Sequence, residues 1–226
     1  MKMHIKPLKI NHAALLELAR QAKRERERTI FLHYTWGRWG EVYDEFHLCV
    51  DKDGEIYRPR YSLSERLTDW GDLADDIHVA LCCGKDLRYT NSGLMFDERR
   101  RVLCGDYPTE LQIAQLAIVV AILARGLAQD ICYRSVRTMY EQYMARLYRS
   151  GRDDFTRDLL WLPARENSRE LDFGGVRVRK RAQAYMQNFI ERRLCPPQCS
   201  RCLSNSPCFT SFSPPSGRGD KTKTKS

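Results

Sequence analysis

No uncharged stretch of this chain is as long as a membrane span. The longest uncharged run, residues 111–124, contains Gln112 and Gln115 and falls short of the ~18–20 residues that cross a bilayer. Residues 1–10 are basic but have no apolar segment behind them, so no secretory signal is read and the chain is expected to be soluble and cytoplasmic. Internal repeats are absent, which excludes a solenoid or propeller. The cysteines do not pair off: there are nine, and an odd number argues against a complete disulfide framework. Cys49, Cys82, Cys83, Cys104 and Cys132 sit in the body of the chain and read as small buried hydrophobes. Basic residues are not interleaved with aromatics on one evident face, so specific nucleic-acid recognition is not the first expectation.

What is present suits one domain of ordinary size with a tail. The chain has 226 residues, 42% of them hydrophobic, and a formal charge of +9. That charge favours polyanionic partners: nucleic acid, acidic lipid or the anionic polymers of a bacterial wall. Asn11 is placed to cap a helix over residues 12–27, and residues 29–35 read as a buried strand. Residues 46–50 form a second strand that enters a tight turn at Asp51-Lys-Asp-Gly54 and returns from residue 55. Residues 58–76 read as loop, 77–83 as a third apolar strand and 85–107 as a long polar connection. A strong helix runs from Pro108 to about Arg125 and is expected to break at Gly126. A short strand near 131–133, a helix over 136–150, a stop at Pro163, a turn at 172–175 and a last helix over 178–193 complete the body. Strands alternating with helices, with a hairpin among them, predict an α/β single domain with a mixed central β-sheet flanked by helices. The domain is drawn at 1–194. Residues 195–226 are rich in Pro, Ser, Gly and Lys and read as a disordered tail. Cys195, Cys199, Cys202 and Cys208 in that tail leave a compressed structural zinc site open as the other reading.

Several motifs then fall in a recognisable order. Ile30-Phe-Leu-His33-Tyr-Thr35 resembles the first metal-ligand strand of the N-acetylmuramoyl-L-alanine amidases, the family that includes phage amidase lysozymes and animal peptidoglycan recognition proteins. Residues 46–57 are similar to that family's hairpin, and residues 76–81 to its Ser-Ile-Gly-Ile-Ala-Leu strand. Residues 108–123 look like its Thr-Pro-x-Gln helix. Residues 156–163 resemble the Arg-Trp-Asp-Leu-Trp-Phe-Leu-Pro segment of a bacterial and phage branch, and Gly174-Gly175 follows it as in that branch. The resemblance covers about residues 10–190 and implies an amidase-like fold. It also implies a Zn2+ held by two His and one Asp or Cys, with an open position for a water that attacks the amide. Carried over residue by residue, His33 is the first ligand and Asp158 the third.

The departures from the pattern are equally specific. In the Thr-His-x-Glu motif this chain has Thr138-Met-Tyr-Glu141, so Met139 stands where the second ligand should be. A thioether is a poor zinc ligand. Phe46 replaces a Tyr before the hairpin His, Ala80 replaces a Glu used as general base in another branch, and Trp70 alone remains of a His-Thr-Trp-Arg-Arg-Asn loop. His78 replaces a Gly on the third strand and is expected on the face of the general-base position. It reads as a replacement ligand or base, or as a histidine closing a polar network. Glu141 is a second acid–base candidate, or a helix-surface charge. His47 and Trp70 are candidates for substrate contact, and His47 also reads as structural. His33 reads as a ligand or as a core histidine, and Asp158 as a ligand or as the cap of a segment starting at Leu159.

The resemblance thus implies peptidoglycan or muropeptide as partner, either hydrolysed at the N-acetylmuramoyl–L-alanine bond or bound without hydrolysis. A cytoplasmic product of this kind would reach the wall after export or lysis. A basic nucleic-acid- or partner-binding protein on another α/β fold rests on charge alone.

Overall fold

Residues 7–85, 88–90, 93–95, 108–144, 158–159, 161–163 and 171–194 are described in the computed structural model. In chain order its elements are β1 (Leu8–Ile10), α1 (His12–Gln21), β2 (Ile30–Tyr34), β3 (Leu48–Val50), β4 (Ile56–Arg58), a 3-10 segment (Thr68–Leu73) and β5 (Ile77–Leu81). There follow β6 (Arg88–Thr90), β7 (Gly93–Met95), α2 (Glu110–Leu127), β8 (Val136–Arg137), α3 (Met139–Met144), β9 (Trp161–Pro163), β10 (Leu171–Phe173) and α4 (Gly174–Leu194). The centre is a six-stranded sheet in the order β1-β4-β3-β5-β2-β8. β3, β5, β2 and β8 run parallel; β4 pairs antiparallel with β3, and β1 pairs antiparallel with β4 and so runs in the direction of the others. The sheet is therefore mixed, and the strands expected at 29–35, 46–50 and 77–83 lie side by side in it. The chain divides into two compact units, 1–187 and 188–226. Of the second, only the end of α4 is described, and the tail cysteines lie outside the described residues.

Strand alternation gives the sheet two buried faces. Ile30, Leu32, Tyr34, Leu48, Val50, Ile77, Val79 and Leu81 belong to one large core with α1 and α2. α2 is apolar almost all round because it sits inside this layer, against both the sheet and α1. By length and composition it could cross a membrane, but 67% of it is buried within the fold. Its start follows the sequence: Thr109 and Gln112 form a reciprocal capping box. Gln112 also donates to the Val50 carbonyl at 2.9 Å, tying the helix to the end of β3.

The boundaries that differ from expectation have tertiary causes. α1 stops at Gln21 rather than 27, because the chain turns to bury Arg28. Its guanidinium donates to the carbonyls of Leu63, Asp75 and Asp76. α2 does not break at Gly126 but runs to Leu127 and is capped by Ala128, whose φ is 56°. In place of a strand at 131–133 there is a turn, held by Ser135 to Asp130 and Cys132. The strand is instead β8, beside β2. α3 begins at Met139, and residues 145–150 of the expected helix lie outside the described residues. Residues 171–173 are strand and α4 starts at Gly174, where a Cβ would overlap the Leu159 carbonyl.

Gly126 faces Ala19 so closely that an added Cβ would overlap the Ala19 methyl and lie 3.1 Å from α1 backbone atoms. Alanine gains up to about 1 kcal/mol in helix propensity over glycine, while forced overpacking costs about 1–3 kcal/mol. Gly126→Ala is expected to lower the melting temperature. An unchanged or higher value in a thermal melt would show that α1 shifts freely on α2.

Candidate functional site

The second face of the sheet carries polar side chains under an aromatic cover. β2 places Phe31 beside His78 and His33 beside Ala80, and β3 places Cys49 on the other side of Ala80. Phe46, Trp70, Leu73 and Met139 pack over this face. His33, His47 and His78 are each 0% exposed. His33 Nε2 lies 3.0 Å from His78 Nδ1, and His78 Nε2 lies 2.9 Å from the Leu73 carbonyl. A carbonyl only accepts, so His78 carries its proton on Nε2 and its Nδ1 accepts from the Nε2–H of His33. The same logic fixes His47. Its Nδ1 accepts from the His78 backbone N–H at 3.1 Å, and its Nε2–H donates to the Glu65 carbonyl at 2.9 Å.

The imidazoles of His47 and His78 are held neutral. Burial pushes His47 down to about 4 and His78 well below its usual range, with His33 adding to the latter effect. Trp70 roofs the pair, its ring 4.4 Å from that of His33 and 4.7 Å from that of His78, with its indole N–H donated to the Glu45 carbonyl at 2.7 Å. Trp70 is half-buried, so one side of its ring is the outer surface of the site. Phe46 lies 5.4 Å from His33.

Asp158 arrives from the opposite direction. It faces His33 in an isolated antiparallel bridge, and the next amide, of Leu159, donates to the Leu32 carbonyl at 3.2 Å. Residues opposed in such a bridge project to the same side. The Asp158 carboxylate accepts the amides of Met139 and Tyr140 at 2.8 and 2.9 Å, and the Thr138 hydroxyl bonds it as well. Burial pushes its pKa up to about 7, against these hydrogen bonds, which pull it down. Asp158 thus caps α3, not a segment starting at Leu159. Met139 packs with Phe31, Leu73 and Trp70. His33, Met139 and Asp158 therefore meet at one place.

No family model matches the chain, and neither a curated protein nor a solved structure does.

The donors at this place do not fit a catalytic zinc. Each Asp158 oxygen holds a helix amide, and Met139 offers only a soft thioether. Among the described residues no group of three or more His, Cys, Asp and Glu is placed to hold a metal ion. The other candidates are equally engaged. Glu141 forms a reciprocal capping box with Thr138 and a bidentate pair with Arg179 at 2.7 and 2.8 Å. It also lies against Gly175, at the start of α4. That geometry is a tie between α3 and α4, and it presents no carboxylate to a substrate. His47 is sealed within the fold, so substrate contact by it finds no support in the geometry. Cys49 and Cys82 share a thiol–thiol hydrogen bond under the same cover, which with burial pushes the Cys82 thiol up. The carbonyls of Leu73 and Glu65 and the guanidinium of Arg179 were not found from sequence. Only Thr138-x-x-Glu141, a capping-box spacing, signalled part of this network.

A neutral buried His47 stabilises the fold above its ordinary pKa of 6.5, and this stabilisation is lost as the pH falls toward 4. His78 acts in the same direction. Asp158, raised, acts oppositely. Unfolding free energy measured against pH should fall between 6.5 and 4, and His47→Gln, whose amide can accept and donate as the imidazole does, should remove about 3 kcal/mol of that fall. A variant with an unchanged pH profile would show that His47 is not the neutral partner described. Separately, Glu141→Ala should cost about 3 kcal/mol by stranding Arg179, and Arg179→Met should recover much of it in the double variant. A Glu141 that served chemistry alone would leave the melting temperature unmoved.

Proposed function

We propose that this chain is an amidase-like module that binds peptidoglycan or muropeptide and does not hydrolyse it. The observation that carries the reading is the meeting of His33, Met139 and Asp158. Residues remote in sequence, singled out by an ordered set of motifs, come together on one face of a mixed sheet. The same meeting favours a second reading, a zinc amidase cleaving the bond between the lactyl group of N-acetylmuramic acid and L-alanine. The engagement of both Asp158 oxygens by helix amides and the thioether at Met139 weigh against it. The charge of +9 suits an anionic wall polymer and would strengthen attachment at low salt. Acting on the wall would require export or lysis of the producing cell.

The test is retention on purified peptidoglycan, with soluble muropeptide and polyglutamate as competitors. Displacement by muropeptide, with no stem peptide released whether or not zinc is added, is the expected outcome. Equal displacement by polyglutamate would reduce the binding to charge. Zinc-dependent, chelator-sensitive release of stem peptide would overturn the reading in favour of the hydrolase.

A further inference from the structure

We infer that Cys132 is a modification site, a thiol that exchanges with small disulfides carrying carboxylate groups, and that the buried guanidinium of Arg137 receives the carboxylate. The site lies at the turn before β8, on one edge of the sheet, and needs nothing from the amidase-like reading.

Cys49, Cys82 and Cys83 are buried, whereas Cys132 is exposed. Ser135 fixes the turn around it. The Cys132 N–H donates to Ser135 Oγ at 3.0 Å, and the Val136 N–H donates to the Cys132 carbonyl at 3.0 Å. Ser135 Oγ lies 3.6 Å from Cys132 Sγ. Partial burial pushes the thiol up, but the Ser135 hydroxyl and the backbone N–H groups of Ser135 and Arg134 pull it below its usual range, despite the charge of Glu27. The thiolate so favoured is the form that attacks a disulfide.

The same turn holds a cation with donors to spare. Arg137 is 5% exposed. Its Nη2 donates to the Arg134 carbonyl at 2.6 Å, and its guanidinium stands 5.5 Å from the centre of the Tyr133 ring. The two residues that follow Cys132 therefore hold it. Arg137 Nε and Nη1 have no hydrogen-bond partner among the described residues. Arg179, 5.3 Å from the same ring, is by contrast engaged by Glu141 and the Val136 carbonyl. Burial pulls the Arg137 pKa down, and the charges of Tyr133, Asp76, Glu141 and Cys132 pull the other way. Buried donors without partners are costly. A carboxylate brought to these N–H groups satisfies them and balances the buried charge.

In the exchange, the Cys132 thiolate attacks one sulfur of the disulfide. That S–S bond breaks and a new one forms to Cys132. The departing half leaves as a thiolate and takes up the proton that Cys132 had shed. Cys132 is oxidised to the disulfide level, and half of the reagent is reduced to a thiol.

The test sets oxidised glutathione, whose halves carry carboxylates, against cystamine, whose halves end in amines. Each is given to the full chain, native and in urea, and modification of Cys132 is followed by peptide mass mapping. Dividing the native rate ratio by the ratio in urea cancels the intrinsic reactivity of the two reagents. The expected preference for oxidised glutathione is about tenfold, and Arg137→Gln should bring it near unity while Cys132 still reacts. No preference in the native chain, or one that Arg137→Gln leaves intact, overturns the inference, as does a native Cys132 that reacts with neither reagent. Should Arg137→Gln not fold, Arg137→Lys takes its place, keeping the charge and dropping the guanidinium donors. A reduced preference is then expected, and an undiminished one overturns the inference.

Discussion

Imidazoles buried side by side, such as those of His47 and His78, must place a proton and a lone pair against partners, because an unsatisfied polar group in such a setting costs about 1–3 kcal/mol. Two backbone carbonyls meet that demand. Leu73 accepts from His78 and Glu65 accepts from His47, and these two bonds dictate the tautomer of every ring in the chain of contacts. The surroundings are arranged to deliver those carbonyls. The 3-10 segment bends at Gly71, where φ is 57°, a value glycine takes without strain. That bend carries Leu73 over His78 and leaves Trp70 lying across both rings. The loop that reaches Glu65 is tied down by Arg28, whose guanidinium bonds the Leu63 carbonyl at 2.6 Å. Burying Arg28 is what ends α1 early, so one polar network reaches from the first helix to the centre of the sheet.

A second network holds the other wall of the site. α3 has six residues, and a helix that short is marginal in isolation. Its opening amides are satisfied from two sources: Asp158 across the fold, and the local exchange between Thr138 and Glu141. Glu141 then passes the connection on to Arg179 in α4. Gly174 and Gly175 allow it, since a Cβ at either would overlap Leu159 or Glu141. The residue types that a metal site would draw on are thus the residues that dock α3 and α4 onto the sheet. Replacing any of them tests stability before it tests chemistry.

The sequence was informative where the cause was local. β2, β3 and β5 are short apolar runs, the hairpin turn is written in Asp51 to Gly54, and Thr109 with Gln112 announces α2. It was uninformative where a distant partner decides. β1 and β8 are strands because β4 and β2 lie next to them. α4 starts at Gly174 because of Leu159, and the glycine at 126 marks a close approach to Ala19 inside α2, not the helix end. The site divides in the same way. That His33, Met139 and Asp158 belong together was legible from motif order. What each of them bonds was not, since the deciding acceptors at Leu73 and Glu65 are backbone carbonyls, which carry no residue signature.

Hydrolysis and recognition make opposite demands on such a face. A hydrolytic centre needs lone pairs and acidic protons directed outward, at a position a substrate can reach. Here the histidine protons, the Asp158 oxygens and the Glu141 carboxylate are directed into the protein, and the ring of Trp70 closes the outside. Opening that face would mean breaking the His33–His78 bond and moving Trp70 off both rings. A recognition surface needs none of this. It needs a fixed outer contour, which two stacked rings, a capped helix and a bidentate ion pair supply. The polar residues that fall in motif order act beneath this face and hold it rigid.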